Sequence, residues 1–301
     1  MPEKQILIVI VGPTAVGKSD LAIDIALKYK VEIISADSRQ VFRELNLGTA
    51  KPTDEALKKV RHHFINSHSI HDSYSAGHFE KEAIALIQLL HRDDKNALMV
   101  GGSGMYVDAV LKGFNEIPQV PPKIRDKYTQ LNSDKGLRYL QEQLRKSDPK
   151  YFESVDLSNT QRVIRALEVI DYTGQPFSDF LIDSHVKRDF RAIKIGLEWE
   201  RKVLYERINE RMDRMISEGL FEEAESLFEY RNLYALQTVG YSEIFEYLDG
   251  KYDRDEAIRL LKRNSRRYAK RQLTWFKRDE QVKWFQPNQQ AEIHNYIESN
   301  L

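Results

Sequence analysis

The first residues whose types and spacing could do chemistry lie near the start of the chain, directly after the apolar run Ile6 to Val11. They are Gly12, Pro13, Thr14, Ala15, Val16, Gly17, Lys18 and Ser19. The spacing G-x-x-x-x-G-K-[ST] lets backbone N–H groups turn toward a phosphate, while Lys18 adds a positive charge and the Ser19 hydroxyl can bind Mg²⁺. A helix over Leu21 to Lys28 would begin at that anion, which its dipole stabilises. The segment predicts a P-loop for a diphosphate or triphosphate; a glycine turn between strand and helix is the alternative.

A carboxylate is expected beside this loop. A second apolar run, Val31 to Ala36, ends at Asp37, and Ser38, Arg39 and Gln40 follow. An ordinary P-loop ATPase has a further acidic residue at the end of an apolar strand, where it orients Mg²⁺. Here the run Ala97 to Val100 leads instead into Gly101-Gly102-Ser103-Gly104. We interpret Asp37 as a general base with hydrogen-bonding side chains next to it, and an Asp that caps a helix or turn as the alternative.

Five apolar runs have the length of buried strands: Ile6 to Val11, Val31 to Ala36, Ala97 to Val100, Arg191 to Leu197 and Val282 to Phe285. The first three alternate with helical patterns, which is typical of a parallel sheet. The predicted fold is therefore α/β, a P-loop NTPase-like parallel sheet flanked by helices. Ligands of such sheets bind beyond the carboxyl ends of the strands, where the P-loop, Asp37 and the glycine run all lie.

The strand pattern is interrupted between Pro118 and about Phe190. Leu137, Leu140 and Leu144 have helical spacing, and a helix is expected to start near Ser158 or Asn159 and to end at Thr173-Gly174. We predict an inserted all-helical domain over 118–190 and a P-loop core over 1–117 and 191–301 that carries the C-terminal basic helix.

Two later helices carry positive charge. Over Lys202 to Ser217 an apolar stripe lies beside Arg207, Arg211 and Arg214. Lys262 to Arg278 contains eight cations without an intervening acid, and helical geometry places Arg263, Arg266, Lys270 and Lys277 opposite the stripe of Leu261, Tyr268 and Trp275. This pattern favours binding of a polyanion over a merely solvated surface.

Composition narrows the class of protein. The 301 residues are 41% hydrophobic and 31% charged, with 46 basic and 46 acidic side chains, and no apolar run reaches the ~20 residues that span a bilayer. We expect no membrane contact. The chain has no cysteine, and Met1 to Gln5 leave no room for a leader before the first strand. Both features favour the cytoplasm.

An ordered set of motifs resembles the bacterial tRNA dimethylallyltransferase (tRNA isopentenyltransferase) family over nearly the whole chain. Besides the P-loop, it comprises Ser35 to Val41, Gly48 to Pro52, Ser75 to Gly77, Gly101 to Tyr106, Arg165 to Val169, Val239 to Tyr241 and Ala269 to Gln272. The family often has Thr where Ser19 and Ser103 stand, but both hydroxyls remain. The zinc-finger extension of eukaryotic members is absent.

The resemblance implies transfer of a dimethylallyl group from its diphosphate to N6 of the adenosine 3′ of a tRNA anticodon. It implies Mg²⁺ as cofactor, with Ser19 as metal ligand, the anticodon stem-loop of tRNA and dimethylallyl diphosphate as partners, and we expect a monomer. The implied catalytic residues are Asp37, Lys18, Ser103 and Arg211. The residues expected to contact tRNA are Asp37, Ser38, Arg39, Gln40, Ser103, Arg125, Gln161, Arg162, Val163, Ile164, Arg165, Arg263, Arg266, Lys270 and Lys277.

Three other functions remain open from the residues alone. A P-loop kinase would share the loop and sheet but would consume ATP. An isopentenyltransferase for free adenine nucleotide would not need the basic helix or the helical insertion. A non-catalytic RNA-binding protein would have no reason to keep Lys18, Asp37 and Ser103 together.

Overall fold

The computed structural model describes residues 5–93, 96–113, 115, 117–181 and 186–301. Most of the short segment that precedes the first strand lies outside these residues. The chain forms two compact units, one of Met1–Lys112 with Lys187–Leu301 and one of Gly113–Val186. None of the described helices is both long and apolar enough to cross a membrane.

The first unit contains a six-stranded parallel sheet in the order β3-β2-β4-β1-β5-β6. Its strands are β1 Ile6–Val11, β2 Glu32–Ser35, β3 His62–His63, β4 Ala97–Gly101, β5 Arg191–Leu197 and β6 Lys283–Phe285. The five predicted strands are confirmed. The short strand β3 was not predicted, because two partly buried histidines give no apolar run.

The helices of the sheet unit precede and follow those of the helical unit along the chain. The first four are α1 Lys18–Tyr29, α2 Asp54–Lys59, α3 Ala76–Arg92 and α4 Gly104–Lys112. The helical unit contains α5 Pro122–Lys135, α6 Leu137–Ser147, α7 Pro149–Ser154 and α8 Thr160–Thr173. The sheet unit continues with α9 Arg201–Ser217, α10 Leu220–Ser226, α11 Ser242–Leu248, α12 Arg254–Phe276 and α13 Gln290–Glu298.

Both faces of the sheet are covered, which explains why β1 is apolar at every position. Leu7, Val9 and Val11 face a core formed with α3, α4 and α9 to α12, whereas Ile6, Ile8 and Ile10 face a second core with α1 and α13. All residues of β1 are buried. The strand therefore holds the P-loop at its carboxyl end on a rigid support.

Helix α12 differs from its prediction in length and orientation. It begins at Arg254, about two turns before the basic run, with Asp253 as N-cap. Its buried side is the line of Ala257, Leu261, Ser265, Ala269, Gln272 and Phe276. Arg263 and Arg266, predicted on the exposed side, are partly buried, while Lys270 and Lys277 are exposed. The prediction was wrong for the two arginines because tertiary packing turns the helix toward the P-loop.

The helical unit has its own core around Leu140, Leu144, Val163 and Leu167. Helix α8 starts after the N-cap Asn159, whose side chain accepts from Arg162 N, and ends at Gly174, as its prediction stated. Asp148 is nearly fully buried and caps α7: Oδ1 accepts from Tyr151 N at 3.0 Å. The same carboxylate accepts from Ser178 N at 2.7 Å and from Ser178 Oγ at 2.9 Å. One carboxylate thus joins α7 to the turn at 177–180.

Replacing Asp148 by Ala should destabilise the helical unit by about 2–4 kcal/mol, because it removes an N-cap and leaves buried donors of Ser178 without an acceptor. Hydrogen exchange of the α7 and 177–180 amides measures this loss. Asp156→Ala is the control, since among the described residues the carboxylate of the exposed Asp156 accepts from Ser158 N and Oγ alone. It should destabilise the unit clearly less than Asp148→Ala. Equal losses in the two variants would contradict the role of Asp148.

Candidate active site

A cavity of about 500 Å³ opens beyond the carboxyl ends of β1, β2 and β4. The P-loop, Asp37 and Gly101-Gly102 each contribute a wall, as predicted from the strand ends. Segments distant in sequence complete it: Thr49 to Pro52, Arg211 and Arg214 of α9, Thr238 to Gly240, and Tyr268 and Gln272 of α12. All of these residues belong to the sheet unit.

The P-loop backbone has the curvature of an anion cradle. Gly12 and Gly17 have φ of 149° and 109°, and Ala15 has φ 63°, a left-handed conformation that is unfavourable for a residue with a Cβ. Surrounding side chains hold it: Arg207 Nε donates to Ala15 O at 3.0 Å and Trp199 Nε1 donates to Val16 O at 3.1 Å. These two bonds fix the carbonyls of Ala15 and Val16 and so hold the loop in its curved conformation.

Gln272 connects the P-loop to the turn after β4. Its Oε1 accepts from Thr14 N at 2.8 Å, and its Nε2 donates to Gly102 O at 2.9 Å. A Cβ on Gly102 would lie 2.3 Å from Nε2, and a Cβ on Gly104 would lie 2.4 Å from the Trp275 ring. The glycines of this turn therefore permit the close approach of α12. Although Gln272 lies in a motif of the resemblance, no role was predicted for it.

Lys18 and Arg211 are two partly buried cations that line the cavity. Lys18 Nζ donates to Gly12 O and Pro13 O at 2.9 and 2.7 Å. Burial, and then the Arg211 charge, lower the pKa of Lys18 to about 7, while Asp37 opposes this change. Burial also lowers the pKa of Arg211, again opposed by Asp37. The structure thus brings three of the four predicted catalytic residues within electrostatic range of one another.

Asp37 is held by its own turn. Its Oδ1 accepts from Arg39 N at 2.9 Å and from Gln40 N at 3.3 Å, and no described residue hydrogen-bonds to its other carboxylate oxygen. Ser103 Oγ accepts from Ser38 N at 2.9 Å and donates to Ser38 Oγ at 3.3 Å. Tyr268, predicted only as part of a packing stripe, lines the cavity; burial raises its pKa to about 12, while Ser103 and the charge of Arg39 oppose this.

The side chain of Gln40 is bonded within the protein. Its Oε1 accepts from Ser35 Oγ at 3.2 Å, and its Nε2 donates to Thr49 O and Ala50 O at 3.2 and 3.1 Å. Gln40 therefore fixes the segment at 47–50 against β2. Its contact with tRNA stays a prediction, and the structure gives its amide a positioning role.

Glu223 holds the other side of the same segment. The backbone amides of Asn46, Leu47 and Gly48 donate to it at 3.3, 2.9 and 3.1 Å. Tyr241 donates its hydroxyl to Glu223 Oε1 at 2.5 Å, and burial, with the Glu223 charge, raises the pKa of Tyr241. An acid on α10 that caps a distant turn leaves no local sequence signal, so Glu223 was not predicted.

The tRNA-contact residues predicted in the helical unit differ in exposure. Arg125, Gln161 and Arg162 are exposed, and Arg125 Nη2 donates to Gln161 Oε1 at 3.3 Å. Arg165 is bonded to Glu168 at 2.6 Å and to Pro118 O at 3.1 Å. Val163 and Ile164 are 0% and 2% exposed and pack in that unit's core. Their side chains support α8 and do not face solvent.

The cations of α12 also have protein partners. Arg266 Nη1 donates to Asn209 Oδ1 at 2.6 Å, and Arg263 Nε donates to Asn264 Oδ1 at 3.1 Å. Lys277 lies 2.7 Å from Glu198, in an exposed ion pair. Of the four, Lys270 is the exposed cation without an ion-pair partner among the described residues. It is the best-placed side chain of the group for a phosphate.

Comparison with known proteins identifies the family. Residues 40–279 match the model of the family described as IPP transferase. The tRNA dimethylallyltransferase of Cytophaga hutchinsonii is 48% identical over 295 residues, which are 98% of this chain and 97% of that protein. The tRNA dimethylallyltransferase of Christiangramia forsetii is 47% identical over 296 residues, 98% of each chain. The chain belongs to the tRNA dimethylallyltransferase family.

Solved structures of this family share the fold. The full-length tRNA isopentenylpyrophosphate transferase of Bacillus halodurans is 40% identical, with a TM-score of 0.72 over 98% of this chain and 96% of that one. A eukaryotic dimethylallyltransferase acting on tRNA is 26% identical, with a TM-score of 0.78 over 98% and 80% of the two chains. The predicted family and the predicted α/β fold are confirmed. Membership of the family also confirms the predicted enzyme class, a prenyltransferase.

The lowered pKa of Lys18 predicts a pH dependence of diphosphate binding in this family member. With a pKa of about 7, the amine is mostly neutral above pH 8, whereas an anion binds best to the ammonium form. The terminal phosphate of methyl diphosphate, a diphosphate monoester, loses its last proton near pH ~6, so this ligand keeps its charge above pH ~7.5. Its association constant should therefore fall by up to about tenfold per pH unit between pH ~7.5 and ~9.5, with uptake of a proton.

Calorimetry of methyl diphosphate binding in two buffers of different ionisation enthalpy measures the association constant and the proton uptake. Lys18→Met is the control, because it keeps an unbranched side chain without a titratable group. It should bind more weakly and without this pH dependence. A flat profile in the wild type would show that Lys18 stays charged throughout.

Proposed function

We propose that this chain transfers a dimethylallyl group from dimethylallyl diphosphate to N6 of the adenosine 3′-adjacent to the anticodon in tRNA, giving N6-dimethylallyladenosine. The observation that carries the proposal is the convergence of Lys18, Arg211 and Asp37 on one cavity at the P-loop. Two partly buried cations suit a diphosphate leaving group, and a carboxylate beside them suits removal of a proton. The names of the family's relatives supply the tRNA substrate.

The reaction follows from these positions. The diphosphate lies in the P-loop, and the bond between its oxygen and C1 of the dimethylallyl group breaks as N6 forms a bond to C1. The loop amides, Lys18 and Arg211 stabilise the charge that develops on the departing diphosphate. The N6 nitrogen becomes more acidic as it alkylates, and Asp37 accepts its proton. Diphosphate and protonated Asp37 are the immediate products.

Mg²⁺ is the cofactor that we propose. No three His, Cys, Asp or Glu side chains among the described residues are grouped to hold a metal by themselves. This fits magnesium at a P-loop, because Mg²⁺ usually keeps several waters and binds through one or two protein oxygens together with substrate phosphates. The Ser19 hydroxyl would be the protein ligand. When bound, the ion would neutralise charge on the diphosphate oxygens.

The surfaces that we propose for the anticodon stem-loop are polar. On the sheet unit they are the partly buried residues Ser38 to Gln40 beside Asp37, with the exposed Lys270 on α12. On the helical unit they are Arg125, Gln161 and Arg162. The target adenine must leave the loop stack to reach Asp37, and an unpaired loop lowers that cost. We further propose a monomer, located in the cytoplasm with its tRNA substrate.

A P-loop kinase is the competing function. Strand β4 ends at Gly101 and leads into Gly102-Ser103, so it presents backbone groups and a hydroxyl where an ATPase has a carboxylate. The nearest acid after that strand, Asp108, accepts from Trp275 Nε1 at 2.8 Å and pairs with Lys112. The geometry thus favours a diphosphate as leaving group over phosphoryl transfer from ATP.

The test is incubation with dimethylallyl diphosphate, Mg²⁺ and unmodified tRNA, followed by mass spectrometry of the nucleosides. We expect dimethylallyladenosine in the anticodon loop, dependent on Mg²⁺ and independent of ATP. Formation of ADP that depends on the acceptor, without the modified nucleoside, would support the kinase instead.

Replacing Asp37 by Asn should lower the single-turnover rate by about 10² to 10⁴ while tRNA binding persists. Asn retains an oxygen that can accept from Arg39 N and Gln40 N, so the turn is kept and the base is lost. Rapid-quench measurement of transfer gives the rate, and filter binding gives the affinity. Transfer at the wild-type rate would exclude Asp37 as the base.

Reversing the charge of Lys270 should weaken tRNA binding similarly across tRNA sequences. The slope of log affinity against log salt should change by about 0.7 to 0.9 if the side chain neutralises one phosphate. Lys30→Glu is the control, since Lys30 is exposed at the end of α1 farthest from the P-loop. If Lys270→Glu and Lys30→Glu both give the wild-type slope, the Lys270 side of α12 is only a solvated surface.

A further inference from the structure

Tyr234 is the most exposed large hydrophobic residue of the sheet unit among the residues that the structure describes, with 68% of its surface in solvent. It opens the short turn Tyr234–Leu236, whose other two residues, Ala235 and Leu236, are 2% and 0% exposed. The turn is closed by hydrogen bonds from Leu236 N to Leu233 O and from Gln237 N to Tyr234 O, at 3.0 and 3.3 Å. The buried residues Ala235 and Leu236 therefore fix the turn and hold the Tyr234 ring at the surface.

The ring lies against a residue of the active site. The guanidinium carbon of Arg39 is 4.7 Å from the Tyr234 ring centroid, a cation–π distance. Arg39 lines the cavity, and its backbone N–H donates to the Asp37 carboxylate at 2.9 Å. Arg39 Nη1 is buried and has no hydrogen-bond partner among the described residues, so the ring is what faces this part of the cation.

The turn also continues into the cavity wall. Thr238, Val239 and Gly240, four to six residues after Tyr234, line the cavity. Gly240 N donates to Glu243 at 3.0 Å, which fixes the end of the segment. Two independent connections, through Arg39 and through the chain itself, thus place Tyr234 at the rim beside Asp37.

We propose that the Tyr234 ring, supported by Arg39, is a stacking subsite for the unpaired tRNA base that neighbours the target adenosine. The inference rests on the proposed function for its substrate class, because a loop that releases one base into the cavity leaves the adjacent bases unstacked. An exposed aromatic ring binds such a base through its π face without reading its identity, and an arginine on the other face extends the stack.

The physical character of stacking separates this role from the phosphate contacts. The Tyr234 hydroxyl has no hydrogen-bond partner among the described residues, so the ring is the functional part. Removing a neutral ring releases no counterion and should leave the salt dependence of binding unchanged. Loss of one base stack corresponds to about 5- to 150-fold in affinity.

The experiment compares Tyr234→Leu, Tyr234→Phe and Tyr234→Trp for binding to a tRNA anticodon stem-loop. Tyr234→Leu should bind about 5- to 150-fold more weakly at an unchanged salt slope, and the two aromatic variants should stay within about threefold of the wild type. Tyr29→Leu is the matched control: Tyr29 also lies beside a cation, Lys28 at 5.4 Å, but at the end of α1 far from the P-loop. It should bind like the wild type.

A direct readout uses 2-aminopurine placed either 5′ or 3′ of the target adenosine. Its fluorescence should be quenched on binding to wild type and Tyr234→Phe at one of the two positions, and should stay bright with Tyr234→Leu. Equal quenching by Tyr234→Leu at both positions, or its wild-type affinity, would overturn the subsite. Weakened binding without a fluorescence change would assign the effect to displaced Arg39 and likewise overturn it.

These outcomes are separable from failure of the proposed function. If the wild type forms dimethylallyladenosine while Tyr234→Leu binds normally, the stacking subsite is wrong and the transferase function stands. If the wild type modifies no tRNA, the function itself fails. A dimer that dissociates on Tyr234→Leu substitution, seen by light scattering, would assign the exposed ring to self-association instead.

Discussion

The hydrogen bonds of the Gln272 amide are the interaction on which the active site depends. One side chain accepts from the P-loop at Thr14 N and donates to the β4 turn at Gly102 O. Gln272 is nearly fully buried, so both bonds form away from competing water and losing either leaves a buried polar group unpaired. Helix α12 is therefore part of the catalytic wall as well as a carrier of surface charge, and its buried side sets the geometry of the diphosphate cradle.

A second network fixes the opposite wall by the same physical means. Glu223 accepts hydrogen bonds from three backbone amides and the Tyr241 hydroxyl. Gln40 donates to the carbonyls of Thr49 and Ala50 at the other end of the same segment. The segment between them, Leu47–Thr49, is a single short 3-10 turn with no buried residue of its own. Leu47 packs against the core, and the hydrogen bonds from both sides fix the backbone of the turn. Because the donors and acceptors are already oriented, substrate binding need not supply the free energy of ordering this wall.

The sequence predicted the fold and the chemistry of the site better than it predicted the residues that hold the site in place. The strand runs, the P-loop spacing and the position of Asp37 are local patterns. Each can be recognised from a few consecutive residues without knowledge of the tertiary contacts. Gln272, Glu223 and Tyr234 act through contacts with residues that are 258, about 176 and 195 positions away. No local pattern encodes such contacts. The predicted exposure of Arg263 and Arg266 on α12 was wrong for a related reason. Charge periodicity identifies a helix face, but packing decides which face is exposed.

The electrostatics of the cavity explain why the base and the cations are placed together. Burial lowers the pKa values of Lys18 and Arg211, so holding both charged is unfavourable, and the Asp37 carboxylate raises both. An incoming diphosphate supplies further negative charge and makes the charged forms favourable. In the reaction that we propose, Asp37 loses its negative charge when it takes the proton from N6, and the diphosphate becomes the main anion that pairs with the two cations. The proton transfer thus strengthens the hold on the leaving group at the moment its charge has developed, which disfavours the reverse reaction.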